Sequence, residues 1–313
     1  MIHVIGDIIL DCYINGRVDR VSPEAPVPIV NIRSQENRLG GAGNVASVLS
    51  DFKTKVKVWT SFASDDAGET IKRLLLNRQI EVHNFKTSEI STRKTRILAG
   101  GQQVVRLDEE KKSLPISNDA LTSIASQINP RDQVIISDYD KGLLPFLGDF
   151  LYALKQKKVE TYIDPKGSHF GKYKNCFLIK PNMKELRLAT LEKPDMDIDA
   201  KVGLSIQNAG ADACLLTKSA DGMSLYSADK KQDFGIISSE VYDVTGAGDT
   251  VIAALAFARS KQLSLTDAAS FSNYCAAYAV TKIGCAQMDI PELTNIMSQN
   301  EAFLNILPDS TRQ

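Results

Sequence analysis

The chain has 313 residues, 43% hydrophobic and 24% charged, and its 37 Lys and Arg against 38 Asp and Glu leave a net charge of -1. That length suits one large domain or a domain with an appendage, able to bury a substantial core, and the charge balance excludes the basic excess a nucleic-acid partner demands. No apolar run approaches a membrane span; five scattered cysteines without CxxC pairing, beside three histidines, suggest neither a disulfide framework nor a zinc site, so a cytoplasmic setting is expected.

The opening run MIHVIGDIILD has no positively charged leader and meets Asp7 early, so it reads as a buried first strand rather than a signal peptide. Asp7 and Asp11 lie near its C-terminal end, where open α/β sheets bind ligands; a turn residue and a solvated acid are the structural alternatives. Residues 12–33 leave the βαβ rhythm, because Pro23, Pro26 and Pro28 suit an edge strand or flap and not a central strand. In RLGGAGNVASVLSDF, Gly40, Gly41 and Gly43 make a flexible turn and Asn44 begins a helix ending near Phe52. Residues 41–46 match a GxGxxA dinucleotide fingerprint, but the preceding SQENRL is polar and the acid expected about 20 residues on has the wrong context. Otherwise the glycines bring the backbone close to a polyhydroxylated ligand whose hydroxyls Asn44 binds, or Asn44 simply caps its helix.

KVKVWTSFAS reads as a strand and AGETIKRLLLNRQ as a helix, followed by strands EVHNFKT, TRKTRILAG and QQVVRLDEE. The last two form a hairpin at Gly100 and Gly101, and Arg93, Lys94, Arg96 and Arg106 make it basic, either for edge protection or for a phosphate-bearing substrate. A small β appendage is thus expected from about 12–33 and 83–110. From Leu121 strands and helices alternate, which predicts a mostly parallel, doubly wound sheet with helices on both faces. Its strand ends carry Asp138 with Lys141, Asp164 with Lys166, and Lys180 with Asn182. In KPNMKE, Asn182 and Glu185 share a helix face: they orient Mg²⁺ and its waters at nucleotide phosphates, or form a helix cap. Thr217, Lys218 and Gly222 make a phosphate-facing loop or a plain hairpin. Asn273, in a small-residue helix running to Gly284, faces a nucleotide or packs.

The stretch DVTGAGDT at 243–250 lies between the strand-like run SSEVYDV and the helix TVIAALAFARS. Gly246 and Gly248 flank Ala247, so the turn opens a helix whose first N–H groups are unpaired and favour an anion. Asp249 follows at once, where a carboxylate accepts a proton from an attacking hydroxyl. An anion cradle beside a base is what phosphoryl transfer to an alcohol needs; the plain alternative is a tight turn and a capping acid.

GGAGNVA at 40–46, PNMKE at 181–185, LTKSADG at 216–222 and DVTGAGDT at 243–250 resemble, in this order, the signature regions of the PfkB, or ribokinase-like, carbohydrate kinases. GDIILDCYINGRVDRVSPEAPVPIV, TRKTRILAGGQQVVRLDEE, SDYDKG and IDPKG are similar to the heptose 7-phosphate kinases of lipopolysaccharide core biosynthesis within that family. Cys12 departs from an expected arginine and Asp140 from an expected glycine. The resemblance implies a three-layer α/β fold over residues 1–313 with a β lid that pairs into a homodimer, and ATP with Mg²⁺ as cofactors. It implies Asp249 as general base and Gly246, Ala247 and Gly248 as anion hole. Asn182 and Glu185 would organise Mg²⁺, Glu185 through water. Thr217, Lys218, Gly222 and Asn273 would line the nucleotide, and Asp11, Gly40, Gly41 and Asn44 the sugar. A substrate already phosphorylated needs cations away from the transferred group, for which Arg93, Arg106, Lys141 and Lys166 are the candidates.

The expected activity is phosphorylation of the anomeric hydroxyl of D-glycero-β-D-manno-heptose 7-phosphate. The alternatives are a kinase of the same fold acting on fructose phosphate, ribose or a nucleoside, a dinucleotide oxidoreductase, or a sugar-binding regulator without catalysis. His3, His83 and His169 cannot supply the HxGH motif of the adenylyltransferase fused to many relatives, so nucleotide activation is expected elsewhere.

Overall fold

A computed structural model describes residues 1–191, 193–228, 230–237, 241–285 and 287–308. Two sheets share the opening run of sequence. β1 (Ile2–Gly6) is buried throughout and joins the larger sheet, Asp7 interrupts the chain, and β2 (Ile8–Val21) leaves into the smaller one. The single strand expected over the opening run is therefore two. β3 (Pro28–Gly41) returns antiparallel to β2, with Ile8 opposite Gly41 and Val21 opposite Pro28. SQENRL lies within β3; it is polar because Ser34, Gln35 and Glu36 face solvent, not because it is a loop. Pro28 begins an edge strand, where a missing N–H costs no ladder bond.

α1 (Ala42–Asp51) leaves β3 directly, and β4 (Val56–Thr60) follows. α2 (Asp66–Asn77) is capped by Asp65, whose carboxylate accepts the Gly68 N–H at 2.7 Å. β5 (Glu81–Asn84) pairs parallel with β4, so residues 83 and 84, expected in the appendage, belong to the large sheet. β6 (Arg93–Ala99) and β7 (Gln102–Glu109) form the hairpin turned by Gly100 and Gly101, both at positive φ. β6 runs parallel to β2, which completes a four-stranded sheet ordered β3-β2-β6-β7.

The regular alternation then sets in: α3 (Asn118–Gln127), β8 (Gln133–Ser137), α4 (Gly148–Gln156), β9 (Glu160–Asp164), β10 (Leu178–Ile179), α5 (Met183–Ala189), α6 (Ile198–Ala209) and β11 (Ala213–Thr217). β12 (Met223–Ser227) and β13 (Lys230–Phe234) turn back antiparallel. The nine-stranded sheet has the order β13-β12-β11-β10-β9-β8-β1-β4-β5, parallel from β11 to β5. Part of the strand expected over 238–244 lies outside the described residues, and 241–244 run without regular structure. α7 (Ala247–Ser260) and α8 (Leu265–Ala279) follow, with short α9 (Ile290–Ile296) and α10 (Glu301–Leu304); α8 stops at Ala279 rather than Gly284.

Each face of the large sheet has its own core, which makes three layers. On one face α1, α2, α7 and α8 bury Leu49, Ile71, Phe257 and Phe271, with the rings of Phe52 and Phe257 stacked at 4.4 Å. On the other, α3, α4 and α6 bury Leu121, Leu151 and Val202. Full burial of each such side chain contributes about 1.5–3 kcal/mol. Ala253, Ala254, Ala256 and Ala258 are fully buried along α7, whose small residues let that helix approach its neighbours closely. The fit fixes where the start of α7 meets the ends of β8 to β11.

Candidate active site

Gly246 caps α7 in the left-handed conformation, φ 75°. A side chain there would be strained and would bring a Cβ within 2.6 Å of Asn44 Nδ2. The Ala247 N–H donates back to the Val244 carbonyl at 3.2 Å, so Gly248 and Asp249 supply the N–H groups that head the helix without an intrahelical acceptor. A Cβ on Gly248 would lie 3.2 Å from the buried Lys180 Nζ, and the bare glycine leaves that approach open. Asp249 is itself buried. Asn44 Nδ2 donates to its Oδ2 at 2.9 Å and the Tyr139 hydroxyl to its Oδ1 at 2.7 Å. Burial and the neighbouring Asp164 push the Asp249 pKa up to about 7, against the opposing pull of those two donors and Lys180. The carboxylate is thereby tuned as a base near neutrality.

A cavity of about 940 Å³ opens in front of this helix start. Asn182, Glu185, Thr217, Lys218, Gly222 and Asn273 all line it, together with Gly246, Ala247, Gly248 and Asp249. Asn182 and Glu185 make a reciprocal capping box at α5: Asn182 Oδ1 accepts the Glu185 N–H at 2.9 Å and Glu185 Oε2 accepts the Asn182 N–H at 3.0 Å. The cap and a wall of the cavity are the same residues. Thr217 bridges to Asn182, Lys218 pairs with Asp233 at 3.1 Å, and Asn273 Nδ2 donates to the Gly235 carbonyl at 2.8 Å, tying α8 to the segment after β13. Gly222, at φ 74°, ends the β11–β12 connection against the Phe234 carbonyl, which a Cβ there would approach to 2.1 Å, so that connection requires a glycine. Asp164 and Lys180 form a buried ion pair at 3.0 Å, and burial pushes the Asp164 carboxyl up.

On the other side of Asp249, Asn44 connects it to the four-stranded sheet. Gly40 and Gly41 close β3 where space is short: a Cβ on Gly40 would lie 2.1 Å from Asp11 Oδ2, and one on Gly41, at φ 58°, 2.5 Å from the Asp7 carbonyl. Side chains alternate along a strand, and the register puts Asp11, Tyr13, Lys94, Arg96, Arg106 and Asp108 on one face. Asp11 makes a buried ion pair with Arg96 on that face. Arg93 is on the opposite face, paired with Glu109, and so does not share the Asp11 face with Arg106, although both are expected at one substrate phosphate. Lys166 is also displaced from its expected place: it lines the large cavity and holds Glu185 Oε1 at 3.0 Å. Arg106 stays on the Asp11 face, forked onto Asp108 at 2.8 and 3.0 Å, while Lys141 reaches Glu110 just beyond β7.

The family description "pfkB family carbohydrate kinase" matches residues 1–293. The chain belongs to that family. It is 34% identical over 293 residues to the D-beta-D-heptose 7-phosphate kinase of Bordetella bronchiseptica, covering 93% of this chain and 94% of that protein. It is 37% identical over 306 residues to the bifunctional protein HldE of Sulfurimonas denitrificans, covering 93% of this chain but only 63% of the relative, so it spans a little under two thirds of that protein's length. The fold is that of Escherichia coli phosphofructokinase-2, with a TM-score of 0.78 at 15% identity over 96% of this chain and 98% of that one. The kinase is therefore a ribokinase-like α/β protein, as the motif order implied.

Within the kinase, the dinucleotide fingerprint at 41–46 falls at the β3–α1 junction, behind a strand of the small antiparallel-edged sheet and not a parallel βαβ unit. The context that motif requires is absent. Sequence reasoning gave no role to Tyr139, although it named the SDYDKG run that holds it. The signal was its position just past β8, at the C-terminal edge of a parallel sheet. Asp7 sets that turn, its Oδ2 accepting the N–H groups of Tyr139 at 2.9 Å and Lys141 at 3.1 Å. Arg96 was noted as one cation of a basic hairpin, and only the strand register separates it from Arg93.

Proposed function

We propose that this kinase transfers the γ-phosphoryl group of ATP to the anomeric hydroxyl of D-glycero-β-D-manno-heptose 7-phosphate, giving the 1,7-bisphosphate, as a step of ADP-heptose and lipopolysaccharide core biosynthesis. The observation that carries this is Asp249: a buried base with a pKa near 7, at the head of α7, between a cavity large enough for a nucleotide and a polar sheet face able to hold a sugar. The heptose assignment is supported by the name of the Bordetella relative, which spans nearly the same length. In this reading Asn44 and Tyr139 hold the carboxylate, Asp249 takes the hydroxyl proton as the oxygen attacks, and the α7 N–H groups with Lys180 stabilise the charge on the transferred group. Asp11, Gly40, Gly41 and Asn44 hold the sugar, and Thr217, Lys218, Gly222 and Asn273 border the nucleotide.

Among the described residues no group of three or more His, Cys, Asp or Glu side chains could hold a metal. Mg²⁺ asks for less, since it keeps several waters and takes one or two carboxylates beside substrate phosphates. Glu185 and Asp164 fit that pattern, both lining the cavity and close enough that Glu185 helps to raise the Asp164 pKa. When bound there it would neutralise phosphate charge. The four-stranded sheet would act as a lid over the sugar and as the homodimer contact; exposed Val21, Ile32 and Leu107 on that sheet support the second role. The test is ³¹P NMR of the product from heptose 7-phosphate and Mg-ATP. A new anomeric phosphate signal beside the retained 7-phosphate is expected; phosphorylation at another carbon, or none, overturns the assignment.

A further inference from the structure

Asp7, between β1 and β2, is a buried carboxylate that takes no direct part in the proposed transfer. It stands near a second buried acid, Asp138, and burial together with that neighbour pushes the Asp7 pKa up to about 6. Two neighbouring carboxylates in the interior cost folding free energy, which hydrogen bonds to otherwise unpaired main-chain groups can offset. These two acids divide the N–H groups of the turn after β8 between them. Asp7 Oδ2 accepts those of Tyr139 at 2.9 Å and Lys141 at 3.1 Å, and Asp138 Oδ1 accepts that of Asp140 at 2.8 Å. Asp138 is itself held by Lys172 Nζ and the Tyr173 hydroxyl, each donating to Oδ2 at 2.6 Å. Three successive main-chain donors thus end on carboxylates, and the turn is pinned from both sides.

The pinned turn sends one side chain to Asp249. The Tyr139 hydroxyl donates to Asp249 Oδ1 at 2.7 Å, and the Tyr139 ring lies against Gly41, where a Cβ would come within 3.4 Å of it. Asp7 also reaches the second donor to Asp249, through its main chain. Its carbonyl accepts the N–H of Ala42, the first residue of α1, at 3.0 Å, and Asn44, two residues on, donates to Asp249 Oδ2 at 2.9 Å. We propose that Asp7 is a positioning residue for phosphoryl transfer: its carboxylate fixes the turn that aims Tyr139 at Asp249 and so sets the orientation of the base. Asp7 acts through Tyr139 and not on the substrate, and its role rests on Asp249 being the base.

The experiment is a double-mutant cycle on kcat with Asp7→Ala, Tyr139→Phe and the pair, joined by Asp7→Asn and a crystal structure of Asp7→Ala. Asp7→Ala is expected to lower kcat about 10-fold, close to the loss in Tyr139→Phe, with KM for ATP and for the sugar unchanged, and to add no more than about 2-fold to Tyr139→Phe. Asp7→Asn, whose amide oxygen can accept the same two N–H groups, recovers most of the loss. Losses that multiply in the pair, or a raised KM at constant kcat, overturn the proposal. Where Asp7→Ala does not fold, Asp7→Asn decides: kcat close to wild type supports the role as acceptor, and a loss as deep as that of Tyr139→Phe overturns it. In the crystal, a Tyr139 hydroxyl displaced from Asp249 supports the proposal whichever sugar the enzyme accepts, and one that has not moved overturns it. Full turnover in Asp249→Asn, with Tyr139 still displaced in the Asp7→Ala crystal, overturns the reading of the base alone.

Discussion

Ionising a buried carboxylate costs folding free energy, and at Asp249 that cost would accompany the proposed role as a base. Its folded pKa, about 7, lies above the ordinary 3.8, so between those values the native state binds more protons than the unfolded chain and stability falls as pH rises. The shift sets an upper scale of about 4 kcal/mol. Asp249→Asn removes this dependence: relative to wild type it should gain stability from about pH 4 to about pH 7 in denaturant melts and then level off, and a difference that stays flat with pH would contradict the assignment. The same variant should lose about two or more orders of magnitude in turnover. Tyr139→Phe deletes a donor that holds Asp249 below its burial-driven value, so the acid limb of the kcat/KM profile should move to higher pH; a limb that does not move would leave Tyr139 with packing alone. The role of Asp249 could equally be read as a cap, whereas the helix start at GAGD was legible because two glycines flanking a small residue permit the tight turn that opens α7. Tyr139 was not, because its partner lies 110 residues away and only the fold joins them.

At the scale of elements, the junctions β1–β2, β3–α1 and the start of α7 meet around Asp7, Asn44 and Gly246. Gly246→Ala combines a left-handed backbone with a 2.6 Å approach to Asn44 Nδ2, and about 1–3 kcal/mol of destabilisation is expected with a fall in turnover beyond what unfolding explains. Thermal melts and activity of the folded fraction check this together. Asp140, an expected glycine, keeps a positive φ of 56°, a region aspartate tolerates better than most residues, and it donates its N–H to Asp138 Oδ1 at 2.8 Å. The substitution thus preserves the turn that presents Tyr139. Periodicity and the four motifs disclosed the alternating half of the chain. They failed on SQENRL and on residues 83 and 84, since a solvated strand is polar like a loop, and nothing local says which sheet a short strand will join.

For the whole molecule, the two sheets divide the proposed work: the large one carries the 940 Å³ cavity at the ends of β9 to β11, and the small one holds the polar face with Asp11. Among the described residues no helix is long and apolar enough to cross a membrane. If the small sheet pairs with a second copy, light scattering should give twice the 34.3 kDa chain mass, and Ile32→Lys should return it to a monomer; a monomeric wild type would remove that contact from the account. Mg-ATP alone should raise the melting temperature, because a ligand that binds only the folded state stabilises it by mass action.

The most direct test of the central claim is ADP release by the purified protein with Mg-ATP, comparing D-glycero-β-D-manno-heptose 7-phosphate with fructose 6-phosphate, ribose and buffer. Strong turnover with the heptose phosphate, abolished in Asp249→Asn, is the predicted result. Turnover with another sugar in preference would retain Asp249 and overturn the substrate, and no turnover with any of them would contradict the account.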